Sequence, residues 1–257
     1  MIIDSNTHPT LNGLWLERRD GVTFEQVSNI LRINNIDFGL AIGLPGVGGY
    51  EHAEYWAECQ KFANLIPVAA VTSRIKSELE KELSSIKEIG YKSIKFHPRL
   101  LNPENLPDFT STLFQIAARL NLTLFVCGYV YKDIKSFTIE LADFHRSILI
   151  NIQRNPNVKV VYLHGGIHSS LEMLMWARHS ENLLIDFSNS FQYRYSYLKD
   201  EVKFMVERLD MRITLGSDFP DLQYQLYMNA IEELGTQEKS KIKNILGVNI
   251  AKFLKLN

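Results

Sequence analysis

The run VKVVYLH, residues 158–164, shows the pattern that decides the fold. Apolar and β-branched residues follow one another without alternation, as in a strand buried on both faces of a parallel sheet, and a histidine ends the run. Seven other short runs have the same character. They are MIID (1–4), DFGLAIGL (37–44), LIPVAAVT (65–72), SIKF (93–96), LTLFVC (122–127), NLLIDF (182–187) and RITLGS (212–217). We therefore predict eight buried strands.

Longer amphipathic segments separate these strands. The segment SELEKELSSIKEIG, residues 77–90, is predicted to be a helix that ends at Gly90. Its apolar positions at helical spacing are Leu79, Leu83 and Ile86. The segment SSLEMLMWAR, residues 169–178, is predicted to be a second helix. Its expected apolar stripe consists of Leu171, Leu174 and Met175.

Strand and helix alternate eight times along the 257 residues, with no break in composition and no Pro- or Ser-rich linker. Hydrophobic residues make up 46% of the chain and charged residues 22%, which is typical of a globular protein with a large core. Eight successive βα units favour a closed (β/α)8 barrel over an open sheet. We predict an α/β fold in which residues 1–257 form a single TIM-barrel domain.

The charge and cysteine content of the chain limit the kinds of partner and compartment that we expect. The formal net charge of −1 gives no bulk electrostatic reason to bind nucleic acid or an anionic membrane. Two cysteines, Cys59 and Cys127, give no disulfide framework, and there is neither a basic and apolar leader nor an apolar run of membrane-spanning length. We expect a cytoplasmic protein whose partner is a small-molecule substrate, and a homo-oligomer is left open.

Polar residues stand where the predicted strands end. In a TIM barrel the C-terminal ends of the strands carry the functional groups, so these positions are the candidate site. They are Asn6 and His8, Lys95 and His97, Cys127, His164, Asp186 and Ser188, and Asp218. Two glycines follow His164, and they allow a ligand or another segment to come close to the backbone there.

Six phrases together resemble the amidohydrolase superfamily, and most closely its branch of small amidohydrolase-related barrels that includes decarboxylases and lactone hydrolases. They are IIDSNTHP (2–9), GYKSIKFHP (90–98), VVYLHGG (160–166), NLLIDFS (182–188), ITLGSDFP (213–220) and NILGVNIAKFL (244–254). They occur in the order of the family and span nearly the whole chain. VVYLHGG and LGSDFP are the more specific phrases.

The resemblance implies a metal site with two altered positions. In the family, a His-x-His pair on strand one, histidines on strands five and six and an aspartate on strand eight hold one or two divalent metals that activate water. By position, His8, His164 and Asp218 match three of these ligands. Asn6 replaces the first histidine, and Cys127 replaces the strand-five histidine. We expect one divalent ion, Zn²⁺ by preference, held by His8, His164 and Asp218, or no metal at all.

The expected catalytic residues are His164 and Asp218, which would handle the proton or a metal-bound water. Asp218 at a strand end is also compatible with a helix cap or a partner for an arginine. Asn6, Lys95, His97, Cys127 and Arg194 are expected to bind substrate. Lys95 shares a strand face with His97 and is expected to pair with Asp4 or with a substrate carboxylate, and a structural ion pair is equally compatible.

Two of these residues have plain alternatives. Cys127 is also compatible with a small buried apolar residue, or as a thiolate with a zinc ligand. Arg194 stands among aromatic residues in SNSFQYRYSY, residues 188–197, which suggests a lid over a planar or anionic ligand. A loop that packs on neighbouring helices is compatible with the same composition.

The sequence thus predicts a hydrolase of an ester, lactone or amide in a small carboxylated molecule. A decarboxylase of the same family and a non-catalytic ligand-binding barrel are the alternatives. Because two ligand positions differ, we predict partial metal occupancy or none. The double change Asn6→His with Cys127→His is expected to raise it.

Overall fold

The eight predicted strands are present in a computed structural model that describes residues 1–15, 19–20, 22–129, 140–166, 170–190, 199–234 and 238–256. The strands are β1 (Ile3–Thr7), β2 (Phe38–Ile42), β3 (Leu65–Ala70), β4 (Ser93–Phe96), β5 (Thr123–Cys127), β6 (Val160–Leu163), β7 (Leu183–Asp186) and β8 (Ile213–Thr214). They pair in parallel in the order of the chain, β1 to β8. The predicted TIM barrel is confirmed.

The barrel closes where β8 returns to β1. A parallel bridge joins Thr7 and Phe219, and the amide of Asp218 donates to the carbonyl of Asn6 at 2.8 Å. Strand β8 is shorter than predicted, because beyond Thr214 the chain leaves β7 and bonds to β1 instead. Gly216 permits this close approach, since a Cβ there would lie 2.6 Å from the amide nitrogen of Asn6.

Helices lie between and after the strands. They are α1 (Phe24–Ile33), α2 (His52–Cys59), α3 (Leu79–Ile89), α4 (Pro98–Leu101), α5 (Leu106–Leu120), α6 (Glu140–Arg154), α7 (Ser170–His179), α8 (Lys199–Leu209), α9 (Tyr224–Leu234), α10 (Lys239–Lys243) and α11 (Asn249–Leu254), with a π-helical turn over Asn244–Val248. A short antiparallel pair, Leu14–Trp15 with Arg19–Asp20, follows β1. Within the described ranges no helix has the length and apolarity needed to cross a membrane.

The predicted stripe of α3 is confirmed, and that of α7 is wrong. Leu79, Leu83 and Ile86 are fully buried, and Gly90 ends α3 with a positive φ of 124°. In α7, Leu171 and Met175 are exposed, whereas Met173 and Ala177 are buried together with Leu174. The helix is rotated from the predicted orientation, so that Met173 rather than Leu171 meets the barrel.

Two apolar layers position the site. Inside the barrel, a cluster that includes Leu40, Val68, Phe125 and Leu163 fills the space between the strands. Outside it, a larger cluster joins the strands to the helices. Side chains of β4 alternate between the layers. Phe96 packs on Phe109 of α5 with ring centroids 5.6 Å apart, so Lys95 projects to the barrel interior, as predicted.

Candidate active site at the barrel mouth

The predicted strand-end residues meet at one cavity of about 520 Å³. Its lining includes His8, Lys95, His97, Cys127, His164 and Asp218. They come from the C-terminal ends of β1, β4, β5, β6 and β8, and each is at most 5% exposed. Asn6 is fully buried one layer below. Arg194 lies outside the described residues.

Asp218 is a buried carboxylate held by amide groups. Asn6 Nδ2 donates to its Oδ1 at 2.8 Å, and Asn189 Nδ2 donates to its Oδ2 at 3.2 Å. Burial alone would raise the pKa of Asp218. The charges of His164 and Lys95 outweigh burial and hold that pKa well below its ordinary value. Asp218 is therefore ionised at neutral pH.

His8 is held in one tautomer. Its Nδ1 lies 2.8 Å from the carbonyl oxygen of Ile42, and a carbonyl only accepts, so Nδ1 carries the proton. Nε2 lies 3.2 Å from Lys95 Nζ and 3.4 Å from Asp218 Oδ1. Burial and then the charge of Lys95 lower the pKa of His8 to about 4, so its contact with Asp218 is not an ion pair at neutral pH. Trp15 stacks on the imidazole, with ring centroids 5.6 Å apart.

His164, unlike the neutral His8, is held in the charged state. Its Nδ1 lies 3.2 Å from both the carbonyl oxygen and the hydroxyl of Ser188. Burial alone would lower the pKa of His164, but the charges of Asp218 and Cys127 raise it to about 9. The Ser188 hydroxyl in turn donates to Asp186, so a buried carboxylate supports the imidazole through Ser188. His164 is protonated at neutral pH.

Cys127 lies between two imidazoles. Its Sγ is 3.6 Å from His97 Nε2, and His164 lies close enough to shift the pKa of the thiol. Burial alone would raise the pKa of Cys127, but its contact with His97 and the charge of His164 hold that pKa well below the ordinary value. These contacts favour a polar role for Cys127 in the site over that of an inert apolar residue.

The predicted pairing of Lys95 with Asp4 is also wrong. Lys95 Nζ contacts His8, whereas Asp4 Oδ1 accepts from the amides of Ser217 at 2.8 Å and Asn6 at 3.2 Å. Period-two alternation fixes which face a side chain occupies, but it does not fix which residue faces it across the barrel. Burial raises the pKa of Asp4 to about 7, although the hydrogen bonds with Ser217 act in the opposite direction.

Sequence reasoning missed several residues of the site. Asn189, which binds Asp218, follows β7 with a positive φ of 64°, and this loop conformation has no clear signal in the sequence. Arg99 lies over the ring of Tyr129, 5.0 Å from its centroid, and both line the cavity. The residues RLL that follow FHP were available as a signal for Arg99, since they continue directly from the β4 motif.

The donor set does not fit a divalent metal as it stands. Asn6 directs its NH₂ group at Asp218, so it acts as a hydrogen-bond donor there and not as a ligand. The lone pair of His8 Nε2 faces an ammonium group. Within the described part of the chain, no group of three or more His, Cys, Asp or Glu side chains has the arrangement of a metal site.

Comparison with known proteins gives a family and a fold. A family model described as amidohydrolase matches residues 29–256. No curated protein matches the sequence. An uncharacterized TIM-barrel protein from Bordetella bronchiseptica superposes with a TM-score of 0.80 at 16% identity, covering 99% of this chain and 98% of the other. At such identity the likeness shows the fold alone.

Two further solved structures carry names that state an activity. A probable 2-pyrone-4,6-dicarboxylic acid hydrolase from Acinetobacter baumannii, with citric acid bound, has a TM-score of 0.66 at 16% identity and 99% coverage of both chains. A dihydroxybenzoic acid decarboxylase from Polaromonas sp. JS666, with manganese and 2-nitroresorcinol bound, has a TM-score of 0.71 at 12% identity, covering 100% of this chain and 97% of the other. A hydrolase and a decarboxylase thus share this fold.

Proposed function

The chain belongs to the amidohydrolase family, and we propose that it is a hydrolase acting on a C–O or C–N bond of a small carboxylated molecule, such as a lactone, ester or amide. The proposed catalytic residues are Asp218 and His164, with Lys95 binding the negative charge of the substrate. The cavity of about 520 Å³ suits a small molecule.

The observation that carries the proposal is the presence of an ionised carboxylate and a protonated imidazole in the lining of one cavity. Asp218 is in the state that a general base requires, and His164 is in the state that a general acid requires. The two groups also interact, since each shifts the pKa of the other in the direction that keeps both charged. Groups of this kind, held in opposite states by their surroundings, are typical of acid–base catalysis.

The proposed hydrolysis proceeds by addition of water to the substrate carbonyl and expulsion of the leaving group, without a covalent bond to the enzyme. Asp218 accepts a proton from water as the water oxygen attacks the substrate carbonyl carbon. The ammonium of Lys95 stabilises the developing oxyanion. His164 then donates its proton to the departing oxygen or nitrogen, and the C–O or C–N bond breaks. A substrate carboxylate near Lys95 and His164 would partly neutralise their charges, and this raises the basicity of Asp218 when it is needed.

The names of the structural neighbours support the substrate class. The hydrolase from Acinetobacter baumannii is named for a dicarboxylic acid and holds citric acid, and the decarboxylase from Polaromonas is named for an aromatic acid. We propose that the present cavity likewise takes a carboxylate, bound by the cationic side chains of Lys95 and His164.

Decarboxylation is a second candidate, favoured by the charge state of His164. A protonated imidazole in a closed cavity can deliver a proton to the carbon from which CO₂ departs, so that the C–C bond breaks and a C–H bond forms. The same two residues would serve, with Asp218 holding the substrate in place of water.

The test is a panel of lactones, aryl esters, amides and hydroxybenzoates assayed in H₂¹⁸O, with acid release followed by pH-stat and CO₂ by mass spectrometry. Hydrolysis places ¹⁸O in the product acid, whereas decarboxylation releases CO₂ and places no ¹⁸O in the organic product. Asp218→Asn is expected to abolish the activity, and the exposed Asp108→Asn is the matched control. Tight binding of a small acid without turnover of any compound would instead favour a non-catalytic barrel.

A further inference from the structure

Lys95 ends in an unusual place for a charged side chain. The residue is 2% exposed, and its Nζ lies 3.2 Å from Nε2 of His8. Because Nδ1 of His8 donates to the Ile42 carbonyl, Nε2 offers only a lone pair, and Lys95 must be the donor in this contact. Burial lowers the pKa of Lys95, and the negative charges of Cys127 and Asp218 oppose that shift, so a buried ammonium at this position depends on such compensation.

The carboxylate of Asp218 lies on the same side of His8 as the ammonium of Lys95. Asp218 Oδ1 lies 3.4 Å from His8 Nε2. A neutral imidazole lone pair and a carboxylate at this separation repel each other unless a cation or a proton is close to both. The proton of His8 is on its other nitrogen, so the ammonium of Lys95 supplies the positive charge. His8 Nε2 contacts the ammonium directly, and the carboxylate of Asp218 lies near enough for the charge of Lys95 to lower its pKa. An imidazole nitrogen and a carboxylate grouped around one cation resemble the ligands of a divalent metal.

The other two ligand positions of the family, Asn6 and Cys127, are also occupied by side chains that bind neighbouring protein groups. Asn6 donates to Asp218 at 2.8 Å and to the Ser188 hydroxyl at 3.0 Å, so it binds the carboxylate that a metal would otherwise bind. Cys127 contacts His97, 3.6 Å away. These contacts satisfy the neighbouring groups with hydrogen-bond donors, which a fixed ammonium permits and an added dication would disrupt.

We propose that the Lys95 ammonium is a built-in replacement for a divalent metal, a cation fixed to β4 that both orders the site and prevents a metal from binding there. The exclusion of metal rests on the geometry of the described residues alone and holds for either reaction. Only the role of Lys95 toward the substrate, in binding its carboxylate or oxyanion, rests on the proposed function.

The test measures metal binding directly and needs no substrate. The parent protein, the double variant Asn6→His with Cys127→His, and the same variant with Lys95→Met added are purified without chelator. Each is dialysed against Zn²⁺ or Mn²⁺, and bound metal is measured by plasma mass spectrometry and by calorimetric titration. Lys92→Met, which removes an exposed lysine immediately before the same strand, is the matched control. Circular dichroism and melting temperature report folding.

We expect the parent and the Lys92→Met variant to hold well under one ion per chain. The double variant, which the sequence alone predicts to gain metal, is expected to stay well below one ion per chain as well, because the Lys95 ammonium still occupies the site. The triple variant is expected to approach one ion per chain and to bind Zn²⁺ at least about 100-fold more tightly than the double variant, because the repulsion from a fixed charge is gone. Stoichiometric tight binding by the parent, or equal affinity of the double and triple variants, would overturn the proposal.

Lys95→Met alone covers the case in which the triple variant does not fold. It leaves His8 and Asp218 facing each other without the ammonium, so weak Zn²⁺ binding about 10-fold above the parent is expected. Equal Zn²⁺ binding by Lys95→Met and the parent would contradict the inference. Since none of these measurements uses turnover, their failure is distinct from failure of the proposed reaction.

Discussion

Cys127 Sγ lies 3.6 Å from Nε2 of His97, and the geometry on the far side of that imidazole fixes the direction of the hydrogen bond. Nδ1 of His97 accepts from the amide of Leu100 at 3.3 Å. Burial lowers the pKa of His97, so the ring is neutral, its proton is on Nε2, and it donates to the sulfur. The sulfur therefore accepts a proton donor, which favours the thiolate.

The first prediction is that Cys127 is the more reactive of the two cysteines. Cys59 is buried in α2, and burial raises its pKa to about 12, whereas the pKa of Cys127 is held well below the ordinary value. At pH 7 iodoacetamide is expected to modify Cys127 at least about tenfold faster than Cys59, because only the thiolate reacts. Peptide mass spectrometry measures both sites in one sample. Equal rates, or a Cys127 rate that rises only above pH 8, would contradict the thiolate assignment.

A second prediction concerns the acid–base pair. His164→Gln and Asp218→Asn are each expected to lower kcat by about 10²-fold or more while the fold is retained, since proton transfer contributes on this scale. The pKa of His164 is about 9, so parent activity is expected to fall as the pH rises through about 9 and the imidazole loses its proton. Measurements are kcat against pH on the substrate found in the panel, and circular dichroism. Parent-like rates in both variants would refute the assignment.

The strands could be predicted well because buried parallel strands leave a strong local signal. Strand β4 matches its prediction at residues 93–96, and the family resemblance inferred from six phrases is confirmed by the match over residues 29–256. The orientation of α7 could not be predicted, because Leu174 can belong to either of two apolar stripes. One includes Leu171 and Met175, and the other includes Met173 and Ala177. Packing against the barrel, which is a tertiary effect, selects Met173.

For the site, the positions of the strand ends predicted which side chains line the cavity, but not which of them contact each other. Placing Lys95 on the inner face followed from period two, whereas its contact with His8 depends on the geometry across the closed barrel. Asn189 and Trp15 come from connecting segments, where conformation is set by contacts distant in sequence. The roles of the individual site residues remain predictions, which the variants above test.

A third prediction concerns Asp4 and stability against pH. Its pKa is raised by burial from 3.8 to about 7 in the folded protein, so the folded state binds the proton more tightly than the unfolded state. The free energy contributed by this group is fully present below pH about 4 and is lost as the pH rises to about 7, by roughly 4 kcal/mol. Asp4→Asn is expected to remove this loss.

The measurement for Asp4 is the free energy of unfolding in urea at several pH values between 4 and 8. Other groups whose pKa changes on folding, including His8 and His164, also contribute to the pH dependence in this range, so the informative quantity is the difference in slope between the parent and Asp4→Asn. Parallel curves for the two proteins would show that Asp4 has no raised pKa.

The last prediction links barrel closure to the site. At Gly216 an added Cβ would lie 2.6 Å from the backbone nitrogen of Asn6, and the backbone of β1 cannot move without displacing Asn6 from Asp218. Gly216→Ala is therefore expected to cost about 2–4 kcal/mol of stability and also to lower activity, because it separates the amide from the carboxylate that it holds. Gly39→Ala is the matched control, since there the nearest atom, at 2.7 Å, is the end of the Leu31 side chain, which can rotate away. Urea unfolding and kcat measure the two effects, and a Gly216→Ala protein no less stable or active than Gly39→Ala would show that closure at Asn6 does not position Asp218.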